Sequence, residues 1–169
     1  MTADLPRSSP ATAGRSAPDG RRGERVLVNR QRAVAVRPRP LNAFLARACE
    51  MVLSPGAGVA VCLVSDREIA RLNRSYRGKH GPTDVLSFPA NGRGGGRHRR
   101  APGEFHLGDI AISPAAARRN ARELGRAVDG ELRVLILHGV LHLAGYDHES
   151  DQGQMERYER RLRRRLGIV

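Results

Sequence analysis

Three of the chain's six histidines fall within eleven residues, in the run His138-Gly139-Val140-Leu141-His142-Leu143-Ala144-Gly145-Tyr146-Asp147-His148. In this H-x-x-x-H-x-x-G-x-x-H order, His138 and His142 are four residues apart, so on a helix they share one face, a turn from each other. Gly145 can take the left-handed conformation that ends a helix, and the reversal would return His148 towards the first two rings. Three imidazoles meeting at a point, with a fourth position open, describe a catalytic zinc site. Nickel, copper or cobalt would also accept such a set. A single histidine on an apolar helix is ordinarily a core residue bonded to a neighbour. Two such rings one turn apart double the desolvation cost, roughly 1–3 kcal/mol each, unless something binds both. Asp147 and Glu149 are candidate acceptors for a ligand's other ring N–H, although Glu149 or Ser150 can equally help start the next helix.

The same spacing occurs in zinc peptidases. Their H-E-x-x-H motif places a glutamate beside the metal as general base. Here that slot is Gly139, so the peptidase mechanism lacks its proton acceptor unless another carboxylate, such as Asp109, stands in.

These residues need a scaffold, and the pattern of the chain supplies one. Val26–Val28 and Ala33–Val36 read as strand material. Pro38 and Pro40 open a helix whose stripe is Leu41, Phe44, Leu45, Ala48 and Val52. Val59–Val64 is a short apolar run of buried-strand type. Ser65 and Glu68 have capping-box spacing, and Gly78 stops the helix they begin. Thr83–Pro89 and Phe105–Ile112 read as strands, and Ser113-Pro114 starts a helix that Gly125 closes. The motif helix runs from about Gly130 to Ala144 and is apolar all round at Val134–Leu137, hence buried. A last helix carries Met155, Tyr158, Leu162 and Leu166 on one stripe, with six arginines between Arg157 and Arg165. The expected fold is a single-domain α/β sandwich: one mixed sheet of about four strands and about five helices. Residues 1–24, rich in Pro, Gly, Ser and Arg, read as a disordered tail, and 91–102 as a mobile Gly/Arg loop that contains His98.

A chain of 169 residues fits one domain of 25–169 behind that tail, and the 4% aromatic content with no Trp implies a small aliphatic core. The formal net charge of +13 points to an acidic partner, with nucleic acid the usual one. Lys79 is the only lysine, so nearly all of that charge is arginine, the better fork-shaped phosphate donor. Cys49 and Cys62 read as small buried hydrophobes rather than a disulfide or zinc ligands. No stretch reaches the length of a membrane span and no apolar leader is visible, so the expected setting is a reducing cytoplasm, with no membrane partner.

Three segments in order resemble one family. They are His138 to His148, read as H-G-x-L-H-L-x-G-Y-D-H; Leu72 to Pro89, reading LNRSYRGKHGPTDVLSFP; and Leu107 to Ser113, reading LGDIAIS. Together they resemble the YbeY family of bacterial endoribonucleases over roughly residues 25–167. The resemblance implies an α/β sandwich with His138, His142 and His148 as ligands of one zinc ion, and Arg77 as the functional arginine near the metal. It implies action on single-stranded ribosomal RNA in maturation of 16S RNA and in ribosome quality control. The partners it implies are the small ribosomal subunit and its assembly factors; DNA is not expected. One position departs from the family pattern: His80 stands where aspartate is common.

Within that reading, Arg77 suits the charge on non-bridging phosphate oxygens. Lys79 would add phosphate contact. Asp109 would orient a ligand or water, or make only a strand-end hydrogen bond. Thr83, Asp84 and Ser87 would fix the loop that carries Arg77. His106 reads as a surface or strand-edge histidine. Two routes to cleavage stay open: attack by a metal-activated hydroxide, or by the RNA's own 2′-hydroxyl with zinc stabilising the charge. Two other functions stay open as well, a metallopeptidase and a non-catalytic assembly factor that uses zinc only for stability.

Overall fold

The computed structural model describes residues 23–90, 105–146 and 152–168. In chain order the elements are β1 (Arg25–Asn29), α1 (Pro38–Val52), β2 (Ala57–Leu63), α2 (Asp66–Arg77), β3 (Val85–Pro89), β4 (Phe105–Ile112), α3 (Pro114–Glu123), α4 (Val128–Leu143) and α5 (Gln154–Leu166). The strands form one mixed sheet in the order β1-β2-β4-β3. The pairs β1–β2 and β2–β4 are parallel, and β3 joins β4 antiparallel at the edge. This is the α/β sandwich of five helices on four strands that the residue pattern implies. Residues 1–22 of the tail and the Gly/Arg segment with His98 lie outside the described residues.

Alternation along the strands assigns the two faces. Val59, Val61 and Leu63 of β2 and Ile110 and Ile112 of β4 enter the main core with α1, α4 and α5. Ala111, Leu86, Cys62 and Phe88 point the other way, onto Ile69 and Leu72 of α2. Helix α4 packs between α1 and α3 and against β3 and β4. Its Leu132, Ile136, Leu137, Val140 and Leu141 are almost wholly buried, each worth about 1.5–3 kcal/mol of transfer free energy. The metal-motif helix is therefore the most enclosed in the molecule's main layer, and the residues it carries have little freedom to move.

Local chemistry explains most boundaries. The Ser65 hydroxyl accepts from Glu68 N at 3.2 Å, and Gly78, at φ 66°, closes α2. The Ser113 hydroxyl accepts from Ala116 N at 3.1 Å, with Pro114 in the first helical turn. One expected strand does not form: Ala33–Val36 pairs with no strand among the described residues and begins in a bend. The cause is the Gln31 side chain, whose amide donates to Val34 O and accepts from Val34 N, both at 3.0 Å. That clamp uses the backbone groups a strand would offer to a ladder. Helix α5 starts at Gln154 behind Gly153, and Glu149 and Ser150 lie outside the described residues.

Asp66 ties α2 to α3. Arg119 donates to it at 2.7 Å and the Ser113 hydroxyl makes a very short bond to its other oxygen. The bond from Arg119 is the main reason its carboxyl sits below the usual aspartate range. A depressed folded value contributes stability above that range and loses it on acidification. Asp66→Asn should therefore be less stable than the parent at neutral pH, by the roughly 0.2–1 kcal/mol typical of a solvent-accessible pair. Urea melts should show the gap closing as pH falls below the usual aspartate range, and a gap independent of pH would contradict the assignment.

Candidate metal centre

The last two turns of α4 carry the pair. The Nε2 atoms of His138 and His142 stand 3.0 Å apart, with the rings edge to face at a 4.6 Å centroid separation. Two nitrogens on one tetrahedral zinc, each about 2.0–2.1 Å from it, stand little more than 3 Å apart, so this spacing fits a shared ion. Both rings thus offer the same nitrogen to the same point. The sequence candidates Asp147, His148 and Glu149 lie outside the described residues. Among the described residues, no cluster of three or more His, Cys, Asp or Glu is arranged to hold a metal. The reversal after the helix is present as far as it is described: Gly145 has φ 94°, and Tyr146 packs against Tyr158 of α5 at 5.3 Å. Tyr146 therefore lies against α5, the helix whose Glu159 reaches His138.

Sequence reasoning missed Glu159. Its Oε2 lies 3.0 Å from Nδ1 of His138, while Arg163 grips its other oxygen through two nitrogens at 3.1 and 2.5 Å. The residue is only 6% exposed. Burial alone would push its carboxyl up; the hydrogen bonds from His138 and Arg163 outweigh that and hold it below the usual glutamate range. A signal was present in the sequence. Met155, Glu159, Leu162 and Leu166 follow a 4-3-4 spacing, so Glu159 occupies the buried stripe of α5 itself. A carboxylate there needs a charged or hydrogen-bonding partner in the interior.

Gly139 is where a peptidase would carry its glutamate. A Cβ at this position would lie 2.7 Å from Cγ2 and 2.9 Å from Cδ1 of Ile110. This side of α4 is pressed onto β4, and the slot faces the sheet rather than the pair. The Ser87 hydroxyl of β3 donates to Gly139 O at 3.3 Å on the same face. Asp109 is no substitute. It neighbours Ile110 on β4 and pairs in register with Phe88, which stacks on Tyr76 of α2. Alternation thus sets Asp109 on the α2 side of the sheet, where its partner is His106 Nε2 at 3.2 Å. It and His106 are not brought to the histidine pair.

The other motif residues are explained by packing. A Cβ at Gly108 would be 2.4 Å from Phe88 O and 2.7 Å from Leu143 Cδ2. Only glycine lets β3, β4 and the end of α4 meet there. Asp84 accepts from Val85 N at 2.8 Å and from Asn120 at 3.1 Å, pinning the loop to α3. Thr83 bonds to it at 3.3 Å. Asn73 donates to Gly81 O at 3.0 Å and holds the other end of that loop. Arg77 is the last residue of α2; it, Lys79 and His80 are exposed. Both cysteines are free thiols, and burial pushes that of Cys49 up to about 11, which leaves it inert.

The model of a known family, Endoribonuclease YbeY, matches residues 27–167. The chain belongs to the YbeY endoribonuclease family. Among its relatives are Endoribonuclease YbeY of Solibacter usitatus, 43% identical over 82% of this chain and 86% of that one. That of Koribacter versatilis is 44% identical over 85% of this chain and 86% of its own. The solution structure of TM1509 from Thermotoga maritima, 29% identical, covers 81% of this chain and 85% of its own with a TM-score of 0.52. The match covers β1 from Leu27 and the other eight elements in full, so the histidine pair, Gly139 and Glu159 all lie within it.

Proposed function

We propose that this YbeY-family chain is a zinc-dependent endoribonuclease that cleaves single-stranded RNA, working in 16S ribosomal RNA maturation and ribosome quality control in the cytoplasm. The observation that carries the metal is the facing Nε2 pair on a buried helix, backed by a carboxylate on the outer nitrogen of one ring. Imidazole donors with such a carboxylate partner are a common zinc arrangement. His138, His142 and His148 would hold the ion. Bound there, zinc would supply a Lewis acid for the scissile phosphodiester and its water.

The chain's own residues do the rest. Arg77 would place a planar pair of donors against the non-bridging oxygens and stabilise the charge that grows on them. Lys79, one residue past the helix cap, would add a point charge to the RNA backbone. The loop that carries Lys79 is pinned at Asn73 and Asp84, so these cations are presented by a tethered segment. The family's activity and the arginine-dominated charge of +13 both support RNA as the substrate. Partners would be the small ribosomal subunit and its assembly factors. The peptidase reading loses support because the Gly139 slot faces Ile110 and Asp109 lies across the sheet.

The test is elemental analysis of the purified protein beside a single-stranded RNA cleavage assay, with and without chelator. We expect about one zinc per chain and cleavage that chelation abolishes. Arg77→Glu should lower cleavage by roughly 10²–10³ while zinc content and melting temperature stay at the parent's level. Cleavage that survives in the metal-free protein would overturn the metal dependence. RNA binding without any cleavage by the zinc-loaded parent would instead support the assembly-factor role.

A further inference from the structure

The proposed ion needs more than two nitrogens at the right separation. It needs each ring to turn a lone pair, not an N–H, towards it. A neutral imidazole has one of each, and which nitrogen keeps the proton is set by what the other one meets. For His138 the structure provides a specific setting. Its Nδ1 meets Glu159 Oε2 at 3.0 Å, and an ionised carboxylate only accepts. Nδ1 must then be the protonated nitrogen, and Nε2, the atom that faces His142, keeps its lone pair.

Glu159 is itself held. Arg163, one turn along α5, donates twice to Oε1, leaving Oε2 to His138. A glutamate has three freely rotating bonds, and without this grip its carboxylate would not stay aimed at one ring. The helix is anchored below and above by Met155, Leu162 and Leu166, all in the main core. Glu159 is thus fixed by packing of its helix, by burial and by Arg163 before any ion arrives.

We propose that Glu159, held by Arg163, is the positioning residue of the metal centre: it fixes the tautomer and the orientation of His138 so that Nε2 is ready for the ion. The assignment rests on the metal-centre reading. A carboxylate in this place orients the ligand and raises its basicity, and its loss typically weakens metal binding about 10–100-fold. The alternative is a purely structural ion-pair network that joins α5 to α4. The two differ in what an apolar replacement does. Between Met155 and Leu162, a methionine at position 159 fits the apolar stripe. Removing one member of a buried ion pair costs stability, but Arg163 and His138 are themselves partly exposed and can turn to water, so a merely structural network would lose metal-free stability and leave zinc affinity unchanged.

Zinc affinity of the full-length chain is measured by competition with a chromophoric chelator, with the melting temperature of the metal-free protein measured alongside. Glu159→Met should bind zinc about 10–100-fold more weakly than the parent, over and above any loss in its metal-free melting temperature. Glu159→Gln, which keeps the shape and removes the charge, should also weaken zinc, and it carries the comparison if the methionine variant does not fold. Ring-nitrogen NMR of the metal-free protein gives a readout independent of zinc. His138 should be in the Nδ1–H form in the parent and shift towards the Nε2–H form in Glu159→Met. Zinc affinities within twofold of the parent in both variants would overturn the proposal and leave the metal centre standing. A parent that binds no zinc would overturn both.

Discussion

His142→Ala protein is expected to purify without stoichiometric zinc and to cleave single-stranded RNA more than a hundredfold more slowly than the parent. The magnitude follows from rank: loss of a ligand's outer partner costs about 10–100-fold, and loss of the ligand itself should exceed that. His142 and His138 should then part company in stability. In the metal-free state, removing His142, whose Nε2 stands 3.0 Å from that of His138, leaves the hydrogen bond between His138 and Glu159 in place. Removing His138 deprives a buried carboxylate of one of its two hydrogen-bonding groups, which costs about 1–3 kcal/mol. His138→Ala should therefore lose zinc, activity and several degrees of metal-free melting temperature, whereas His142→Ala should lose zinc and activity but keep the hydrogen bonds of Glu159 and more metal-free stability than His138→Ala. Atomic absorption, a cleavage assay and a thermal melt in chelator separate the two. Stoichiometric zinc in His142→Ala would contradict its assignment as a ligand.

The second large effect is on folding. Gly139→Glu would write the peptidase motif H-E-x-x-H into this chain, yet it should unfold the protein rather than convert it. The first atom of any side chain would press on Ile110 at 2.7 Å. Overpacking of this kind costs typically about 1–3 kcal/mol, and burying an unpaired carboxylate between helix and sheet adds several more. Against a marginal total stability of about 5–15 kcal/mol, that is enough to empty the folded state or nearly so. Gly139→Ala isolates the steric part and should destabilise by about 1–3 kcal/mol, even though alanine is the better helix former. Urea denaturation measures both, and casein cleavage tests the conversion. A folded Gly139→Glu protein that cleaves casein would sink the steric account and restore the peptidase as a serious reading.

Position 139 also shows how sequence and structure divide the work. From the residues alone, its glycine reads as a missing base. In the fold it is a contact: the helix can lie on β4 only if nothing projects there. The same holds for Gly108, which reads as one letter of a motif and proves to be the point where two strands and a helix end converge.

What the residues determined by themselves is local. The four-residue spacing of His138 and His142 specifies their shared face, because helix periodicity acts within a turn. The caps at Ser65 and Ser113, the stop at Gly78 and the left-handed Gly145 follow from side chains and glycines acting on their own backbone. The buried character of α4 follows from its apolar centre, and the sandwich from the order of elements. Ala33–Val36 shows the limit of that reasoning even at short range, since one glutamine side chain outcompeted strand propensity.

Tertiary structure alone decided the rest. Glu159 is 21 residues from His138, and no periodicity connects them; the packing of α5 on α4 makes them neighbours. Strand alternation and the position of α2 put Asp109 on the wrong side of the sheet to serve the pair. Short-range order comes from backbone geometry, which every residue shares. Contacts between distant segments come from which apolar faces bury one another, and that is settled only when the whole core assembles.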